Sequence, residues 1–163
     1  MQDMVDRLMT EWSDERPELD CSALGVVVRV QLLAKLFHEA AERRLQELGL
    51  RLWEYDALSA LRRRGAPYEM TASELAEASL LTSGTITTRI DRLEQRGLVE
   101  RRPGPDDRRT VNVRLTAAGR RLVDRAVGPR LESAEEELGS LSVRELDQLS
   151  AGLRKILSRA APV

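Results

Sequence analysis

Four arginines, Arg101, Arg102, Arg108 and Arg109, fall within the eleven residues RRPGPDDRRTV, beside two prolines, a glycine and two aspartates. Guanidinium groups on a turn-forming segment can grip phosphate or enter a narrow minor groove, where the potential is most negative. Pro103, Gly104 and Pro105 keep such a segment turned. Asp107 can hold Arg109 in a fixed aim as its neighbouring carboxylate. The cluster stands against a neutral background, since 26 Lys+Arg face 27 Asp+Glu over 163 residues. Residues 84–121 carry ten arginines against five acids, while residues 1–22 carry seven acids against two arginines. A basic middle in a neutral chain predicts one anionic partner at one place, and nucleic acid is the usual one.

The stretch before the arginines predicts a helix from about Ser83 to Arg96, stopped by Gly97. At about 100° per residue, Ile86, Ile90 and Leu93 centre on one face that must pack inward. Gly84, Thr88, Asp91, Arg92 and Gln95 lie roughly opposite, with Thr87 at the edge. Small hydroxyl residues at the N-terminal end let a helix enter the major groove, and free N–H groups there hold phosphate. We therefore expect Ser83 and Thr85 on DNA at that end, Thr87, Thr88 and Arg92 at the major groove, and Arg108 and Arg109 at the tip of a wing. Arg89 falls about 60° from the buried centre by the same arithmetic. It should face its own protein, where a half-buried guanidinium needs an anion.

Positioning these groups requires a scaffold. Val5, Leu8, Met9 and Trp12 repeat at i, i+3, i+4, i+7, which predicts an added N-terminal helix over residues 1–15. A second helix, about Ser22 to Glu47, is apolar on several sides, so it should be buried on several sides and implies a partner subunit. LWEYDALSALRRRG reads as a helix ending at Gly65. Thr71 and Glu74 form a capping box that opens a short helix to about Ser79. LVERR and TVNVRL alternate with period two and read as hairpin strands joined by PGPDDR. Residues 50–116 thus predict a winged helix-turn-helix lobe. Thr116 should cap a long helix, kinked at Gly128-Pro129. Ser142 and Glu145 should open a last one, with Leu146, Leu149, Leu153, Ile156 and Leu157 on one face. The expected fold class is mainly α with a small β hairpin.

Other classes are excluded by what the chain lacks. No run approaches the roughly 18 apolar residues of a membrane span, so no membrane partner is expected. No basic segment followed by an apolar one opens the chain, so no secretory signal is expected. One cysteine, Cys21, forms no internal disulfide, and a reducing cytoplasm is the expected compartment. His38 is the sole histidine, so no metal site is expected. GxSxG, HExxH, P-loop and GxGxxG patterns are absent, so neither an enzyme nor a cofactor is expected. Two alternatives stay open. Cys21 could sense oxidants, or the lobe could be a protein-interaction module that does not bind DNA, against which the wing arginines argue.

The residues LTSGTITTRIDRLEQRGLVERRPGPDDRRTVNVRLTAAGRRL resemble the recognition helix and wing of the MarR family of transcriptional regulators, most specifically over DDRRTVNVRLTAAG. The likeness runs from about Ser22 to the end. It implies a homodimer with interdigitating N- and C-terminal helices, residues 22–48 and 117–160, whose two lobes bind a palindromic operator in double-stranded DNA. Many members repress and are released by small phenolic or anionic ligands. Gly104-Pro105 stands where the family often has Asp-Pro. EWSDERPELD followed by LRLWEYDALSALRR is similar to the urate-responsive branch. That resemblance implies a ligand set of Trp12, Asp56, Arg89 and Arg101, and a small anionic effector such as urate, xanthine or an aconitate-like acid. If Asp56 meets Arg89, the two form a partly buried ion pair. An anion stacked on Trp12 would take over Arg89, move the recognition helix and couple ligand to DNA.

Overall fold

The computed structural model describes residues 2–79, 83–103 and 111–160. The chain forms two compact units, residues 1–40 and 41–163, with the division inside one helix.

The first unit holds α1 (Met4–Glu15) and most of α2 (Ser22–Gln46). Asp3 caps α1 by accepting N–H bonds from Val5 at 2.8 Å and Asp6 at 3.0 Å. Asp6 accepts from the Asp3 N–H in return, at 2.8 Å. The Arg29 guanidinium then reaches Asp3 at 2.8 Å and Asp6 at 2.6 Å. That guanidinium, together with the cap N–H groups, holds the Asp3 carboxyl below its ordinary range. Two of the N-terminal acids thus serve α1 itself. Val5 is buried, while Leu24, Val27, Val30, Leu33 and Leu36 of α2 stay exposed in the single chain.

The second unit continues α2 from Ala41 and adds α3 (Leu52–Arg63), β1 (Glu69–Thr71), α4 (Ala72–Ala78) and α5 (Ser83–Gln95). Then come β2 (Val99–Pro103), β3 (Val111–Leu115), α6 (Ala117–Leu138) and α7 (Val143–Ala160). The sheet is antiparallel in the order β1-β3-β2, with Val99 opposite Leu115 and Arg101 opposite Val113. Its inner face closes on Leu45, Leu50, Leu58, Leu61, Leu75, Ile90, Leu93 and Val123. The apolar face predicted for the recognition helix, Ile86, Ile90 and Leu93, is the face that is buried.

Both predicted capping boxes form. Thr71 Oγ1 accepts the Glu74 N–H at 3.1 Å, and Glu74 accepts the Thr71 N–H at 2.8 Å. The bonds from Thr71 hold the Glu74 carboxyl below its ordinary range. Ser142 and Glu145 repeat the exchange at the start of α7, over 2.8 and 3.4 Å. One feature differs from the sequence expectation. The sheet gains a third strand, β1, whose three residues are too few to show a period. Its ladder extends back to Tyr68, whose carbonyl accepts the Leu115 N–H at 3.0 Å. The long helix α6 holds Pro129 inside it. The Leu149, Leu153, Ile156 and Leu157 face of α7 is exposed in the single chain.

Candidate nucleic-acid interface

Helix α5, the predicted recognition helix, ends at a glycine in the left-handed region, which favours glycine. Gly97 has φ +67°, and the chain reverses there so that the Leu98 N–H reaches the Leu93 carbonyl at 2.9 Å. With Ile86, Ile90 and Leu93 inward, Thr87, Thr88, Arg92 and Gln95 are exposed on the other side. The side chains of Ser83 and Thr85 lie outside the described residues. So do Asp107, Arg108 and Arg109, in the 104–110 segment that joins the paired ends Pro103 and Val111.

Arg101 is tied to the recognition helix. Its backbone N–H donates to Glu94 at 2.9 Å, and its two Nη atoms bond the Glu94 and Asp91 carboxylates. Burial works against the charge of Arg101, but the bonds to Asp91 and Glu94 outweigh it and raise its pKa. The sequence arithmetic set Asp91 on the outward face with Arg92. The structure has it half-buried and turned to the wing. The reason is a cation on the adjacent strand, ten residues later, which a helical wheel does not contain.

Arg89 faces its own protein, as its angle required. Its guanidinium carbon sits 5.2 Å from the centre of the Trp53 ring, a cation–π contact. Its Nη1 is buried and has no hydrogen-bond partner among the described residues. Asp56 is half-buried on α3, three residues beyond Trp53. Trp12 belongs to α1 in the first unit and is 44% exposed.

Sequence reasoning missed several groups here. Glu54, 4% exposed, accepts from Arg96 at 2.6 Å and from the Arg51 N–H at 2.9 Å. Arg96 also donates to the Gly49 carbonyl at 2.9 Å. Glu54 occupies the third helical position, where a capping carboxylate is expected, so that half of its role had a sequence signal. Its pairing with Arg96, like that of Trp53 with Arg89, had none. Among the described residues no group of three His, Cys, Asp or Glu could hold a metal ion. No described helix is long and apolar enough to cross a membrane.

Comparison with known proteins agrees with this geometry. A family model described as the MarR family matches residues 48–110. The HTH-type transcriptional regulator PecS of Dickeya dadantii is 35% identical, covering 93% of this chain and 92% of its own. Among solved structures, Sco3205 of Streptomyces coelicolor, a MarR family regulator in complex with DNA, has a TM-score of 0.79 at 22% identity. It covers 88% of this chain and 95% of that one. The regulator BldR of Sulfolobus solfataricus has a TM-score of 0.73 at 27% identity, covering 85% of this chain and 96% of that one. At such low identity Sco3205 speaks for the fold alone. The relatives are transcriptional regulators rather than enzymes. With a family match across the winged lobe and a relative similar along nearly its whole length, this chain belongs to the MarR family of transcriptional regulators.

Proposed function

We propose that the chain is a ligand-responsive repressor that binds a palindromic operator as a homodimer and leaves it when a small anionic effector binds. The observation that carries the DNA reading is the outward face of α5. Thr87, Thr88 and Arg92 are exposed there, beside a wing strand that Arg101 ties to the same helix. Ser83 on backbone phosphate, Thr85 on DNA at the same helix end, and Arg108 and Arg109 at the wing tip complete this reading. The exposed apolar faces of α2 and α7 support the dimer. A regulator of DNA is expected in the cytoplasm.

Arg92 is long enough to reach a guanine edge or a phosphate one turn into the groove. Arg92→Ala is expected to weaken operator binding by about 1–3 kcal/mol. A gel shift on a duplex enriched by the wild-type protein measures this, and unchanged affinity removes Arg92 from the interface. Titrating salt against random duplex separates the DNA reader from a protein-interaction module. Only the former binds and loses affinity steeply as salt rises.

The effector reading rests on Arg89. A buried guanidinium nitrogen without an acceptor is costly, and an anion would satisfy it. Asp56, Arg101 and Trp12 enter through the resemblance to the urate-responsive branch. Arg101 is already bonded to two acids, whereas the Arg89 Nη1 is buried with no hydrogen-bond partner among the described residues, which supports Arg89 as the cation for the effector. Urate, xanthine and an aconitate-like acid are the effectors to test. A coupling of about 1–3 kcal/mol would weaken DNA binding about 5–150-fold. A bound effector also raises the melting temperature by mass action. Arg89→Gln is expected to abolish whatever shift one of these three acids produces. A shift that survives the substitution places the pocket elsewhere.

A further inference from the structure

The ion pair between Glu54 and Arg96 joins three helix ends. Arg96 follows the last residue of α5, where a cation suits the helix dipole, and its N–H bonds the Arg92 carbonyl at 3.1 Å. Its Nη2 bonds the carbonyl of Gly49, in the turn that closes α2, at 2.9 Å. Its Nη1 bonds Glu54, in the first turn of α3, at 2.6 Å. The Glu54 side chain is only 5% exposed, against 38% for Arg96. Such a carboxylate is committed to its partners, because an unpaired buried charge is strongly disfavoured. A second contact of α3 with α5 is of a different kind. Trp53, the residue before Glu54, meets Arg89 by a ring face alone, 5.2 Å from its centre. The C-terminal end of the recognition helix is thus pinned by directed, charge-assisted bonds, whereas its middle is held by the packing of Ile86 and Ile90 and by the undirected contact of Arg89 with Trp53.

We infer that Glu54 and Arg96 are positioning residues for DNA reading. Their bridge pins the C-terminal end of the recognition helix to the turn between α2 and α3. In the dimer it thereby sets the separation of the two recognition helices. This rests on the DNA-binding dimer proposed above. The bridge need not touch DNA to do so. Half-site spacing is read as protein geometry, since each half-site meets one recognition helix and the protein fixes the distance between them.

The test uses the full chain and two duplexes. One is a duplex enriched from a random library by the wild-type protein, and the other is the same duplex with one base pair inserted between its half-sites. Glu54→Gln keeps the shape and an oxygen for the Arg51 N–H but removes the charge that holds Arg96. Affinity for the enriched duplex is expected to fall about tenfold, a coupling within the usual range for a contacting pair. The preference for it over the lengthened duplex should shrink towards none. The dependence on salt should stay as in the wild type, because no phosphate contact is lost. Arg96→Lys keeps the charge at the helix end but cannot reach Glu54 and Gly49 together, and should shift the spacing preference the same way. It also serves if Glu54→Gln does not fold. A wild-type spacing preference in the folded variants overturns the inference, even if their melting temperatures drop. A wild-type protein that enriches no duplex defeats the DNA-binding reading itself, and this one with it.

Discussion

Gly119→Ala is expected to lower stability by about 3 kcal/mol or more, the upper end of what overpacking a tight contact costs. A methyl group on Gly119 would lie 2.0 Å from the carbonyl oxygen of Leu98 and 2.9 Å from its carbon. Neither atom belongs to a side chain that could turn aside. That carbonyl is held in place, since it accepts the Thr116 N–H at 3.1 Å and the Thr116 hydroxyl at 3.2 Å. The same hydroxyl donates to the Gly97 carbonyl at 2.7 Å and accepts the Gly119 N–H at 3.0 Å. The start of α6, the stop of α5 and the root of β2 therefore meet at one point, and only a residue without Cβ lets them meet. For a chain of this size the loss corresponds to a drop in melting temperature of about 6–12 °C. Circular dichroism on heating measures it. A variant melting with the wild type would mean that α6 can move off Leu98, and the rigid seating of the wing on α6 would be lost as an idea.

Gly119 also shows where sequence reading stops. In the first turn of a helix a glycine reads only as a weak helix former, and its reason lies 21 residues away at Leu98. The features that were legible are local. Thr71 with Glu74, and Ser142 with Glu145, exchange bonds three residues apart, so composition and spacing hold the whole interaction. The buried face of α5 followed from one helix's own periodicity, and so did the inward turn of Arg89. What Arg89 meets did not follow, because Trp53 arrives from another helix. The same applies to Glu54 and Arg96, 42 residues apart. Asp91 went astray for this reason too. A helical wheel gives directions around one axis, but the cation that claims Asp91 comes from the neighbouring strand. β1 escaped because three residues borrow their conformation from β3 rather than from a pattern of their own.

Ile156→Glu is expected to convert the dimer into folded monomers. In the single chain Ile156 is 56% exposed on α7, and Leu149, Leu153 and Leu157 accompany it on the same exposed apolar face. A face of this kind in water marks an interaction surface, and the proposed occupant is a second copy of the chain. Glutamate is as good a helix former as the residues around it, so α7 itself should survive. In a two-fold dimer each substitution occurs twice in the assembly. Burying an unpaired carboxylate costs at least about 2 kcal/mol on a lenient scale, so two weaken association by about 4 kcal/mol, close to a thousandfold. Sedimentation at micromolar concentration reads this as a change from twice 18.3 kDa to 18.3 kDa, with the helical circular dichroism retained. DNA binding should fall with it, because a lone subunit brings one recognition helix and one wing to a site built for two. If the variant sediments as the wild-type dimer, α7 does not face the partner. If it is monomeric yet binds the enriched duplex as tightly as the wild type, the palindromic reading is wrong while the lobe remains a DNA reader.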